Sequence, residues 1–342
     1  MKTKQKDELY CGVNYKNIRE AKPILNEENF IHFLTFMGER FRIHVKKDIL
    51  KEPYPWTKNV VLKDYKFTNV FREDDRQTRY LIKHVVKNPE LSLEDKIVNC
   101  FMFRAWNNYD TFRDFGLPKS AQELYDPSLK ENIRLVYQKL HRDNPGRMWW
   151  SSAYNQGGTK HAWKFPEGDG YQRAYREADA KKYADWEKDI PLRPFHVAVW
   201  LDKQNIAEKL LKAENQLECF ETIKSVRGFS DFLAYQVFVD LSYIKEFPFS
   251  ENEFTVAGPG CKKGIDLVFE DKDGLTYEEC LFWLRDYLKT QTFIELRREF
   301  REYHRDINVM SLENCMCEIS KYIRTVTGTG RPRCHYKPRK ED

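Results

Sequence analysis

Apolar residues recur at helical spacing along almost the whole of this chain, and no alternation of strands with helices interrupts them. That regularity restricts the chain to a mostly α fold, since a parallel sheet would need strands between the helices. Between residues 29 and 49, Phe30, Phe33, Leu34, Met37, Phe41 and Ile43 mark one face of a long helix. Thr68 is placed to cap a helix running through Val86, with Val70, Phe71, Tyr80, Leu81 and Val85 inward. Ser92-Leu93-Glu94-Asp95 resembles a capping box and opens a helix to about Asn107. The same periodicity predicts helices at 130–141, 171–188, 197–213, 231–243, 277–290 and 312–323, and leaves short strands at 56–62 and 195–199.

The 342 residues suffice for one large or two ordinary domains, and 41% hydrophobic content with 15% aromatics is enough for a packed core. A net charge of +5 permits a nucleic-acid partner without demanding one. No apolar run approaches the roughly 18–20 residues that span a bilayer, so no membrane partner is expected. The start, MKTKQKDELYCG, has no apolar h-region and does not read as a signal peptide. Eight scattered cysteines then read as reduced thiols of a cytoplasmic protein. Cys315-x-Cys317 with Cys334-His335 has the wrong first spacing for zinc and falls in an apolar helical pattern, so core cysteines are expected and no metal site.

Two turns are suited to phosphate. Gly228-Phe229 precedes the apolar run from Phe232 through Gln236 to Leu241, as at the start of a helix-hairpin-helix, where glycine takes a positive φ and the next helix offers free N–H groups. The second is Gly258-Pro259-Gly260-Cys261-Lys262-Lys263-Gly264, with two lysines. From Asn144 to Asp189, Trp149, Trp150, Tyr154, Trp163, Tyr171 and Tyr175 are interleaved with glycines, either a platform for stacked bases or aromatics pinning a loop to a core. The tail 324–340 carries Arg324, Arg331, Arg333, Lys337, Arg339 and Lys340, and suits either phosphate contacts or solvent.

On a helix, Arg72 and Arg76 would share one face with Asp75 beside them, either as a functional group or as a surface ion-pair ladder. Arg104 sits in the apolar run 101–106 and Asp240 in the run 237–241. Each charge needs a partner or a task, and Asp75 or Asp240 would satisfy Arg104.

Phe67-Thr68-Asn69-x-x-Arg72-x-x-Asp75-Arg76, Phe103-Arg104-x-x-Asn107, Gly228-Phe229-x-x-Phe232-x-Ala234-Tyr235-Gln236-x-x-x-Asp240, Ala257-Gly258-Pro259-Gly260-x-x-x-Gly264-Ile265 and Glu313-x-x-x-Cys317-Glu318-x-x-Lys321-Tyr322 together resemble the alpha-glutamyl/putrescinyl thymine pyrophosphorylase family. The chain is similar also to the helical domain of 5-hydroxymethyluracil DNA kinases. The resemblance covers about residues 65–336. It implies a helix-hairpin-helix DNA glycosylase-like fold, with 1–64 as an N-terminal helical segment and 65–342 as the glycosylase-like domain, bearing an insertion at about 144–190 and a basic tail. The family's implied reaction replaces pyrophosphate on 5-pyrophosphoryloxymethyluracil in double-stranded DNA with an amine or amino acid. Relatives in bacterial anti-phage loci resemble glycosylases that excise hypermodified pyrimidines. Asn107-Asn108-Tyr109 is bulkier than the family pattern, and the Val-Asp-Thr-His stretch of ordinary glycosylases is absent, with Glu251 or Glu253 near its place.

A transferase would use Asp240 to deprotonate or hold the amine, with Arg72, Arg76, Arg104, Lys262 and Lys263 neutralising pyrophosphate; a Mg²⁺ there is compatible but no motif demands it. Asp75 joins these as a catalytic candidate, while Asn69, Asn107, Gly228, Phe229, Phe232, Gln236 and the 258–264 run are candidates to hold substrate or DNA. A glycosylase would use Asp240, Glu251 or Glu253 at the sugar, and a third reading is a non-catalytic reader of modified bases.

Overall fold

The computed structural model describes residues 9–126, 128–151, 194–226, 228–330, 332 and 334–338. The helix expected at 171–188, most of the aromatic insertion, and Arg331, Arg333, Arg339 and Lys340 lie outside the described residues. In chain order the helices are α1 Tyr15–Glu20, α2 Glu27–His44, α3 Val60–Asp64, α4 Arg76–Leu81, α5 Leu93–Trp106, α6 Tyr109–Asp114, α7 Ala121–Tyr125 and α8 Leu129–Asp143. There follow α9 Phe195–Lys203, α10 Ile206–Lys212, α11 Gln216–Ser225, α12 Asp231–Ser242, α13 Pro259–Val268, α14 Tyr277–Leu288, α15 Ile294–Glu302 and α16 Val309–Val326. The described fold is mostly helical, as the periodicity requires. Its strands are two short antiparallel pairs, Leu9–Tyr10 with Val13–Asn14 and Ile24–Leu25 with Phe269–Asp271.

Neither expected strand forms. Residues 60–64 are α3, capped by Asn59, and 195–203 are α9. A short β-branched run cannot be told from a buried helix by periodicity alone, and α9 packs against α5 and α7. The helix expected at 197–213 divides at Asn205, whose φ of 49° lies in the left-handed region.

The chain divides into two compact units, one from Met1–Arg76 with Glu251–Asp342, the other Gln77–Ser250. The contacts therefore do not divide at the expected 64/65 boundary. The first unit joins its two segments through one apolar core, in which Phe36, Phe41 and Phe71 from the first segment meet Ile265, Phe300 and Met316 from the second. Phe41 lies edge-on to Phe300 at 4.8 Å and Phe71 to Phe300 at 5.2 Å. The tail is also pinned, with Tyr65 bridged to His335 and Lys47 seated over the Trp56 ring at 4.5 Å while donating to Tyr336 Oη.

At its centre α13 crosses α16 at close range. A Cβ on Gly264 would lie 2.1 Å from the Met316 carbonyl oxygen, and one on Gly260 2.6 Å from Cys317 Sγ. The second glycine-rich turn is thus a helix, and Gly264 is needed for contact with another helix.

In the second unit α5 is central. Its residues from Lys96 to Trp106 are buried on every face, and α12 and α9 pack on it. Ser92 and Asp95 form the expected capping box. Trp149 stacks on Phe115 at 5.6 Å, and Trp150 Nε1 donates to the Ala105 carbonyl, so these two tryptophans of the supposed base platform belong to the core. Gly228, at φ 89°, turns the chain between α11 and α12, which pack together.

Candidate functional site

The segment 67–76 does not form the helix start expected at Thr68. Arg72–Asp74 is a single 3₁₀ turn, Asp75 is extended at φ −69° and ψ 140°, and α4 begins only at Arg76. Local side-chain bonding outcompetes the helix. Asp75 Oδ1 accepts the Asn69 N–H at 2.9 Å, and Asn69 Nδ2 donates to the Asp74 carbonyl at 2.7 Å. Arg72 and Arg76 therefore do not share a helical face, and Arg76 is exposed.

This loop is bolted between α2 and α16. Arg40 Nε donates to the Thr68 carbonyl at 3.0 Å, and Asn314 Nδ2 to the Asn69 carbonyl at 2.7 Å. Arg72 Nη1 meets Glu313 Oε2 at 3.0 Å, and the same carboxylate accepts the Gly258 N–H at the start of α13. One turn beyond Asn314, Glu318 Oε1 accepts from Lys321 Nζ at 2.5 Å. The segments 69–75, 258–260 and 313–321 thereby form one polar cluster in the first unit.

The cluster is partly unsatisfied. Asn69 Oδ1 and Glu318 Oε2 are buried without a hydrogen-bond partner among the described residues. Burial raises Asp75 to about 6, opposed by the Asn69 N–H and by Arg40 and Arg72, and helped upward by Glu318. Burial also raises Glu313 and lowers Arg40. A carboxyl titrating close to neutrality beside arginines and empty acceptors is equipped to accept a proton from a bound group.

The second unit holds the other expected pair. Arg104 on α5 grips Asp240 on α12 through Nε and Nη2, both at 2.6 Å, and also donates to Asn107 Oδ1 at 2.7 Å and Thr78 Oγ1 at 3.1 Å. Asn107 ends α5 at φ 47° and donates to Ser151 Oγ. Asp240 is 0% exposed with both oxygens engaged, which is the geometry of a structural ion pair. Beside it, Phe229 and Gln236 are buried and Phe232 is 47% exposed.

Lys262 and Lys263 are exposed on α13, with Lys262 lying over the Tyr277 ring. Glu251 accepts from Asn308 Nδ2 and is raised to about 7 by burial and the Glu73 charge, against Arg305. Glu253 is half-buried and acts electrostatically on Tyr15. The structure thus brings together Asn69, Arg72, Asp75 and Gly258, and leaves Arg76, Lys262 and Lys263 facing solvent. Cys315 is buried against the Val70 carbonyl, and among the described residues no group of three or more His, Cys, Asp or Glu is arranged to hold a metal ion.

Residues 27–331 match the family model of the 5-hmdU DNA kinase helical domain. The chain belongs to that family. The 5-hmdU DNA kinase of Bacillus phage SP10 is 28% identical over 331 residues, which cover 93% of this chain and 48% of that protein. The chain therefore spans about half the length of the curated relative it matches. No solved structure matches. Among the described residues no helix is long and apolar enough to cross a membrane.

Both polar clusters of this helical domain fall inside the matched residues. Arg40, Asn314, Glu318 and Lys321 complete the first cluster but were not among the residues expected to carry chemistry. For Glu318 and Lys321 the signal was present in α16, where they stand three apart and so lie on one face.

Proposed function

We propose that this helical domain acts on 5-hydroxymethyluracil-derived bases in double-stranded DNA, replacing pyrophosphate on 5-pyrophosphoryloxymethyluracil with an amine or amino acid. The observation that carries the reading is the gathering of Asn69, Arg72, Asp75, Glu313 and Glu318 from distant segments around unsatisfied acceptors. The phage relative is named for the 5-hmdU base, which supports a hydroxymethylated base as substrate. The exocyclic carbon becomes reachable once the base is flipped out of the stack. The amine nitrogen then bonds to that carbon, the carbon–oxygen bond breaks, and pyrophosphate leaves with the electron pair. Asp75 takes the proton from nitrogen, and Arg72 and Arg40 face the departing charge. In this scheme the Arg104–Asp240 pair holds α5 to α12 under a glycosylase-like helix-hairpin-helix formed at Gly228, whose turn faces the DNA backbone.

One observation favours a second reading. Glu251, raised to about 7, retains a proton near neutrality and suits the acid role in a glycosylase that excises the modified base. Nucleoside mass spectrometry after incubation with amine and DNA carrying the pyrophosphorylated base separates the two. An amine adduct supports the transferase and an abasic site the glycosylase; unchanged DNA refutes both.

A further inference from the structure

We infer that Asn69 Oδ1, Asp75 Oδ2 and Glu318 Oε2 form a pocket for the amino group of a primary amine. The inference rests on the reading above for the amine's place in a reaction, but the pocket follows from the unpaired atoms.

Asn69 and Glu318 are 6% and 7% exposed, and the named oxygen of each is buried with no donor among the described residues. Buried acceptors are costly when empty and are ordinarily filled. Asp75 spends Oδ1 on the Asn69 N–H, and among the described residues no hydrogen bond or side-chain ion pair reaches its second oxygen. The three residues are physically continuous. Asn69 and Asp75 are hydrogen-bonded, and Asn314, one turn before Glu318 on α16, holds the Asn69 carbonyl.

No nearby cation among the described residues donates to Asn69 Oδ1 or Glu318 Oε2. Lys321 is on Glu318 Oε1, Arg72 on Glu313, and Arg40 on the Thr68 carbonyl. What remains is a set of acceptors, two of them carboxylate oxygens. A primary ammonium has three N–H donors and a positive charge, and so meets all three. An imide edge offers one donor, and a quaternary ammonium offers none. The amine becomes a nucleophile when its ammonium passes one proton to the Asp75 carboxylate, leaving R–NH₂ and a neutral carboxyl. Burial raises the affinity of Asp75 for a proton towards that of an amine, which makes the exchange less uphill than with an exposed carboxylate.

The test is calorimetric titration of the whole chain, without DNA, using n-butylamine and butyltrimethylammonium. Saturable binding of the first and none of the second is expected. Asp75→Asn and Glu318→Gln should each weaken butylamine binding by about tenfold or more, as for loss of a charged hydrogen bond. Binding by the native chain should also fall as pH drops through about 6, when Asp75 takes a proton. Melting curves of both variants verify folding, and the native chain's preference between the two ligands stands as a test if either variant unfolds. Equal binding of both ligands, no saturable binding, or folded variants with native affinity would each overturn the pocket. Amine binding without any DNA adduct would instead refute the proposed reaction and leave the pocket standing.

Discussion

Replacing Gly264 with alanine tests whether this glycine serves a ligand or a helix crossing. The added Cβ would meet the Met316 carbonyl oxygen at 2.1 Å and Ile319 Cγ2 at 2.8 Å. Comfortable carbon contacts lie at about 3.5–4.0 Å, so α13 and α16 would have to part by roughly 1 Å. One of the obstructing atoms is backbone in the middle of α16 and cannot swing aside. Overpacking of this kind costs about 1–3 kcal/mol and occasionally more, while alanine returns about 1 kcal/mol of helix propensity. With a backbone clash this severe the net loss should be about 2 kcal/mol or more, lowering the melting temperature by roughly 4–8 °C. Gly38, inside α2, is the control. A Cβ there meets the Arg42 guanidinium at an ordinary 3.6–3.8 Å, so Gly38→Ala should gain about 0.5–1 kcal/mol. Thermal unfolding followed by circular dichroism reads both. If Gly264→Ala melts at or above the native chain, the glycine is not there for the crossing.

Asp240→Asn should destabilise the chain by about 3–5 kcal/mol, because it leaves Arg104 buried without its counter-charge; a normal urea midpoint would contradict that assignment. Glu251 has its folded-state affinity for protons raised, so it contributes stability at low pH that is lost as pH rises towards 7. Glu251→Gln should therefore gain on the native chain between about pH 4.5 and 7, by about 2 kcal/mol after allowance for partial exposure, and differ little below pH 4. A pH-independent difference in melting would count against this. Exchanging Lys262 and Lys263 for alanine should weaken DNA binding and reduce the salt slope by about 1 for each lost phosphate contact, whereas an unchanged slope means α13 does not touch the backbone.

The helical class was legible because apolar periodicity is a local property. So were the Ser92 capping box and the positive φ of Gly228, each set by a few neighbouring residues. That Arg104 needs a carboxylate also followed from sequence, which left Asp75 and Asp240 as alternatives, and the structure pairs it with Asp240. The run 258–264 was not readable as a helix because Gly260 and Gly264 weigh against one locally, although Pro259 stands at the first helical position, where proline is tolerated. Its glycines answer to α16, some fifty residues away. The break at Asp75 depends on side-chain bonds to Asn69 and Asp74 that propensity does not register. Half of the candidate site lay hidden for a related reason. Glu318 and Lys321, three apart on a helix, look like a surface ion pair until burial leaves one oxygen unpaired.

The discontinuity of the first unit bears on how the chain is made. Asp75 leaves the ribosome long before Glu318, by an interval on the order of tens of seconds at ordinary rates of synthesis. During that time the N-terminal segment has no α16 to cover Phe36, Phe41 and Phe71, and the whole intervening unit is made before either α13 or α16. The nascent chain thus carries exposed aromatic surface behind a folded neighbour. Exposed apolar surface of this kind is prone to aggregate, so truncation before α16 should leave an aggregating N-terminal segment, as sedimentation of chains ending near residue 300 would show.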